Sequence, residues 1–143
     1  MSDDSGGSLD AINDFLSDVD FFSAFSEDEI RQLSGLAESR HFAFGDTVLE
    51  SGAKSAGIHV IRKGTVRLFS TEGGKETSLG VRKDGEVLDE ITAIREHTLE
   101  YSVRASAKTE LLFFPAEPFR TILKSNEAAA KFITNYSACL LYT

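Results

Sequence analysis

Between His41 and Pro115 the apolar residues stop recurring every three or four positions and begin to alternate. The change is from the roughly 3.6-residue repeat of a helix to the two-residue repeat of a strand. No other feature limits the fold as much. Phe42 and Phe44 alternate with small residues, Gly45-Asp46 forms a turn, and Val48-Leu49 is a short strand before the polar loop from Gly52 to Gly57. Ile58 to Ile61 follows, then a turn at Gly64, and then Val66 and Leu68 alternating with Arg67 and Phe69. Gly73-Gly74 predicts a hairpin turn, Thr77 to Val81 a strand, and Gly85 another turn. Leu99 to Ala105 and Leu111 to Phe114 predict the last two strands, and Pro115 stops them. About eight strands at roughly 8–12-residue spacing make a sandwich or a barrel-like roll.

The flanks are helical. Leu9, Ile12, Leu16 and Val19 recur at helical spacing with Phe15 beside them, and Phe21-Phe22 closes the segment. Ser26-Glu27-Asp28-Glu29 is a capping box, in which Ser26 accepts from a free N–H and Glu29 reaches back. It opens a helix with Ile30, Leu33, Leu36 and Ala37 on one face. Gly35 costs that helix ~1 kcal/mol relative to Ala, so it must lean on the body. After Pro115, Phe119, Ile122 and Leu123 form one apolar face. Asn126 then caps a last helix carrying Ala129, Phe132, Ile133, Tyr136 and Leu140. The apolar run Ala138 to Tyr142 has two readings. It packs back on the roll, or it belongs to a helix that continues or pairs with a partner, as a homodimer or with an effector domain.

Charge and cysteine content narrow the function. The 143 residues carry a net charge of −8, the wrong sign for direct nucleic-acid binding by this segment. Cys139 is the single cysteine, so no disulfide forms within the chain, and a reducing, cytoplasmic setting is expected. No apolar run reaches the ~18–20 residues of a membrane span. No Ser-His-Asp or Cys-His arrangement and no Gly-rich phosphate loop is visible. His41, His59 and His97 lack metal-ligand spacing. Neither an enzyme, a metal site nor a cofactor is expected.

One stretch has the look of a ligand site. From Lys83 to Ile94 it makes a turn, enters a short apolar run and passes the adjacent carboxylates Asp89 and Glu90. It then crosses a polar loop holding Arg95 and His97 and re-enters a strand from Leu99 to Ala105.

From about Leu9 to Leu141 the order of helices, eight-strand roll and helices resembles the cyclic-nucleotide-binding domain family. Phe15 to Ile30 resembles that family's opening helix, turn and second helix. Gly45, Val48 and Gly52 resemble its first strand-turn-strand, and Val60-Ile61-Arg62-Lys63-Gly64-Thr65-Val66 its "v-I-x-x-G-x-v" run. The resemblance implies a mainly β fold: an eight-stranded antiparallel β-roll (jelly roll, double-stranded β-helix) with N-terminal helices and two C-terminal helices. The implied boundaries are a tail over 1–8, helices over 9–38, the roll over 39–115 and helices over 116–143. The family's cassette, G-D-x-F-G-E, a short helix, then P-R-x-A-x-V, is similar to Gly85 to Glu90 followed by Thr98 to Ala105.

The match implies ligand contacts at Gly85, Asp89 and Glu90 and at Leu99, Glu100, Tyr101 and Ser102, and Arg95 of the intervening loop is a further candidate. Glu90 falls on the carboxylate that accepts the ribose 2′-hydroxyl, although a helix-start carboxylate is an equal reading of it. Asp89 stands where the family has Gly, Leu99 where it has the phosphate-binding Arg, and Thr98 where it has Pro. Glu100 and Tyr101 stand on small residues. Asp89 adds bulk and negative charge, which can occupy the helix start itself. Loss of a charge-assisted Arg contact costs roughly 1.5–3 kcal/mol, or ten- to a hundred-fold in affinity. Tyr101 adds bulk where base or sugar would lie, and Leu99 and Tyr101 are expected to fill that space. Arg95 or His97, swinging in, could replace the lost cation.

The expected function is a non-catalytic regulatory or sensor domain, part of a larger signalling, transport or transcription protein, with cyclic nucleotide binding weakened or lost. The alternative is a working domain for cyclic AMP, cyclic GMP or another small anion that moves its C-terminal helix on binding.

Overall fold

The computed structural model describes residues 9–141, with side chains described over 9–136. The tail at 1–8 and the side chains of the apolar run from Ala138 lie outside what is described.

Helix α1 (Leu9–Ser17) leads through a single 3-10 turn, Asp20–Phe22, into α2 (Glu27–Leu36). The capping box forms: the Glu29 N–H donates to Ser26 Oγ at 3.2 Å and the Ser26 N–H to Glu29 Oε1 at 2.9 Å. That bond from the Ser26 N–H is the main reason the Glu29 carboxyl is held below its usual range. Ile12 and Leu16 are buried, but Leu9 is 60% exposed. The apolar stripe of α1 is therefore one residue shorter than its spacing predicts.

Eight strands follow: β1 (Glu38–Phe42), β2 (Thr47–Leu49), β3 (Gly57–Lys63), β4 (Thr65–Glu72), β5 (Lys75–Lys83), β6 (Val87–Leu88), β7 (Ser102–Ala105) and β8 (Thr109–Pro115). They form two antiparallel four-stranded sheets, ordered β1-β8-β3-β6 and β2-β7-β4-β5. Gly64 makes the β3–β4 turn at φ 127°, and a Cβ there would lie 2.4 Å from Thr109 Oγ1, so only Gly fits. Phe44 is the exception to the alternation. It is 79% exposed, because the chain leaves β1 at Phe42 and turns at Gly45 before β2. β5 is longer than expected and lies at a sheet edge, which leaves Leu79 and Val81 about half exposed.

Alternation sorts the side chains into two cores. Ile58, Val60, Val87, Leu112 and Phe114 face the helices and join Phe21, Phe22, Leu33, Phe119 and Ile133. Ile61, Leu88 and Leu111 face the other way and meet Val66, Leu68 and Val103 of the opposite sheet. Phe22 and Phe119 each lie about 6 Å, centroid to centroid, from Phe114, which fastens the helices to β8.

Two helices, α3 (Ala116–Lys124) and α4 (Glu127–Leu141), close the chain. Asn126 caps α4 by accepting from the Ala129 N–H at 2.9 Å. Its amide nitrogen donates to the Ala24 carbonyl and to Glu29 Oε1, so one side chain joins the start of α4 to the start of α2. Among the described residues no helix is long and apolar enough to cross a membrane.

Candidate functional site: the cassette between β6 and β7

Gly85 (φ 84°) turns the chain out of β5, and its N–H donates to the Ile61 carbonyl at 2.7 Å. The turn is tightened by Glu86 Oε1, which accepts from the Lys83 N–H at 2.8 Å. β6 then carries the chain into Asp89 and a 3-10 turn, Glu90–Ala93.

Asp89 stands in the left-handed region (φ 60°, ψ 45°), the one such non-Gly residue among those described, and is 3% exposed. Asp89 precedes the turn, as the sequence places it, but its carboxylate makes no bond to a backbone N–H of the turn. A capping residue is normally extended, and the left-handed backbone points this side chain elsewhere. Asp89 Oδ2 instead accepts the Thr92 hydroxyl at 2.8 Å, and Oδ1 lies 3.6 Å from His97 Nε2. The Asp89 N–H donates to the Tyr101 hydroxyl oxygen at 3.2 Å.

Glu90 is also buried, and desolvation pushes its carboxyl above the usual range. Its own backbone N–H and the Arg82 guanidinium pull it the other way, and neighbouring Asp89 adds to the rise. Burial likewise raises the Tyr101 hydroxyl, with Glu90 and Asp89 reinforcing it.

The predicted residues divide. Asp89, Glu90 and Tyr101 converge. Leu99 is buried, its N–H on the Ala53 carbonyl and its carbonyl accepting from the Gly52 N–H. That pairing belongs to a lacing between 97–99 and 52–55, so β7 begins at Ser102 and not at Leu99. Ser102 Oγ accepts from the Ser51 N–H at 3.0 Å and is spent on that lacing. Glu100 and Arg95 are exposed, and it is His97, not Arg95, that reaches Asp89. Arg104 points outward to Glu76, where Arg104 and then Arg67 hold the Glu76 carboxyl down at about 2.

Arg82 and Arg120 are missing from the sequence reading. Arg82 pairs with buried Val66 across β4–β5, which puts it on the inner face near Glu90 and Tyr101. A register shift at Phe69 obscures its parity in the sequence. Arg120 of α3 donates from Nε to the Thr92 carbonyl at 2.9 Å, and only the tertiary packing brings those two together. Among the described residues no group of three or more His, Cys, Asp or Glu could hold a metal.

The sequence model of the cyclic nucleotide-binding domain matches residues 39–126, the roll and its first C-terminal helix. The chain belongs to the cyclic nucleotide-binding domain family. No curated protein sequence matches it. Among solved structures it is similar to the sensor domain of the transcriptional regulator DNR from Pseudomonas aeruginosa. The TM-score is 0.83 at 16% identity, covering 94% of this chain and 91% of that one. It is also similar to the regulatory domain of Toxoplasma gondii PKA with cAMP (TM-score 0.81, 12% identity, 91% of this chain and 49% of that one). A third likeness is the regulatory subunit of a cAMP-independent protein kinase A from Trypanosoma cruzi bound to guanosine (TM-score 0.75, 18% identity, 92% and 50%). The chain spans about half the length of each of these last two chains. At these identities the likeness shows the fold.

Proposed function

We propose that this chain is a non-catalytic regulatory or sensor domain whose own nucleotide site is closed, so that binding of cyclic AMP or cyclic GMP is weakened or lost. The observation that carries the reading is Tyr101. Its ring packs against the core between the sheets and its hydroxyl takes the Asp89 N–H, inside the family's ligand cassette. Leu99 is buried at the position of the family's Arg, and two buried carboxylates stand where an anion would arrive. The domain serves a larger cytoplasmic signalling, transport or transcription protein, with α4 as the contact to an effector or to a second copy. The regulatory domain of PKA and the sensor domain it resembles supply the analogy.

A second reading has its own support: Glu90 is retained and Arg82 lies beside it on the inner face. There the domain binds a nucleotide or small anion and moves α4, and the neighbour bound to guanosine is an example of a different ligand in this fold. Calorimetric titration with cyclic AMP, cyclic GMP and guanosine separates the two. The closed-site reading expects no heat at millimolar ligand, and saturable micromolar binding overturns it.

A further inference from the structure

We propose that Asp89 is an internal latch, holding the cassette, and through Thr92 and Arg120 helix α3, in one arrangement without a ligand. The proposal rests on the closed-site reading, because a latch is useful only where no ligand does the holding.

Its first support is the backbone. A non-Gly residue in the left-handed region is retained where its surroundings hold it there. Asp89 is held by groups from three segments: Thr92 of its own turn, His97 of the following loop and Tyr101 on the approach to β7. The carboxylate is almost wholly buried, so the bond it accepts from the Thr92 hydroxyl acts with little screening by water.

The second support is the connection onward. Thr92 is fully buried and carries two bonds at once, its hydroxyl on Asp89 and its carbonyl on Arg120 Nε. Arg120 is anchored on α3 near Glu117, at 3.5 Å. α3 runs directly into Asn126, the cap of α4. Removing the carboxylate frees Thr92, and the seat of Arg120 goes with it. Coupling of this kind is reciprocal, so loosening Arg120 must also loosen the turn.

Hydrogen exchange on the full chain tests this. In Asp89→Gly, exchange is expected to quicken about tenfold both over 90–93 and over 116–124, as local opening becomes easier. Sodium formate, a carboxylate small enough to replace the lost one, is expected to slow both again. Equal sodium chloride does not, and formate leaves the native chain unchanged. Quickening confined to 86–101, or none at all, overturns the latch. Should Asp89→Gly fail to fold, Arg120→Met carries the test: faster exchange over 90–93 supports the latch, and no change there overturns it. Nucleotide binding by the native chain would end the closed-site reading and the latch with it, whereas a purely local exchange effect in a chain that binds no nucleotide would end the latch alone.

Discussion

His59 shows how one residue sets a pH dependence. It has the parity of Ile61 and so faces the space between the sheets, where it is 5% exposed with its ring 4.9 Å from that of Phe113. Among the described residues its Nδ1 finds no hydrogen-bond partner. Burial, aided by the Arg40 charge, lowers its pKa from the usual 6.5 to about 4. The unfolded chain therefore takes up this proton first. The stability it contributes is complete above pH 6.5 and is lost as the pH falls towards 4. At about 1.4 kcal/mol per pH unit that loss amounts to ~3 kcal/mol. In His59→Leu this part of the acid loss is expected to disappear, checked by urea unfolding between pH 7 and pH 4. An unchanged profile would show that His59 is not its source. Glu90 acts with the opposite sign. Its raised pKa favours the protonated folded form, so its contribution is present below the usual carboxylate range and fades as pH rises.

The joint between α2 and α4 belongs to the scale of elements. Asn126 is legible in the sequence as a cap, but its two further bonds, to Ala24 and Glu29, span about a hundred residues and are set by packing. Asn126→Ala is expected to cost about 2–3 kcal/mol, one cap and one bond to a charged group. Asn126→Asp is expected to do no better, although Asp is a good cap, because it sets a second carboxylate against Glu29. Thermal melts at neutral pH check both, and full recovery in Asn126→Asp would reduce the joint to a simple cap. The edge strand β5 is managed in the same local way. A register shift near Gly80 and lysines at both ends discourage pairing with another chain, despite the exposure of Leu79 and Val81.

For the whole molecule the question is whether the roll takes up a nucleotide once Asp89, Leu99 and Tyr101 are replaced. The triple variant Asp89→Gly, Leu99→Arg, Tyr101→Ser restores the close approach, the guanidinium and the space. It is expected to gain at least a hundred-fold in affinity for a cyclic nucleotide over the native chain, since an Arg contact alone accounts for roughly 1.5–3 kcal/mol. Calorimetry measures this, and a well-folded triple variant that still binds nothing would show that the roll itself has changed shape.

What the sequence determined by itself was the arrangement of periods: helical, then alternating, then helical, with Gly-bearing turns at fixed intervals. Local spacing is enough for that, because burial of one face follows directly from the repeat. It also identified Asp89, Leu99 and Tyr101 as the residues that depart from a ligand-binding pattern. The tertiary structure decided which groups Asp89 meets, that Arg120 and Arg82 approach the cassette, and that His97 and not Arg95 lies against it. These contacts join residues far apart in the chain, or depend on a register shift and a left-handed backbone, neither of which leaves a periodic trace. The cassette's left-handed residue is also where local preference and tertiary packing pull apart, and the surrounding bonds decide the outcome.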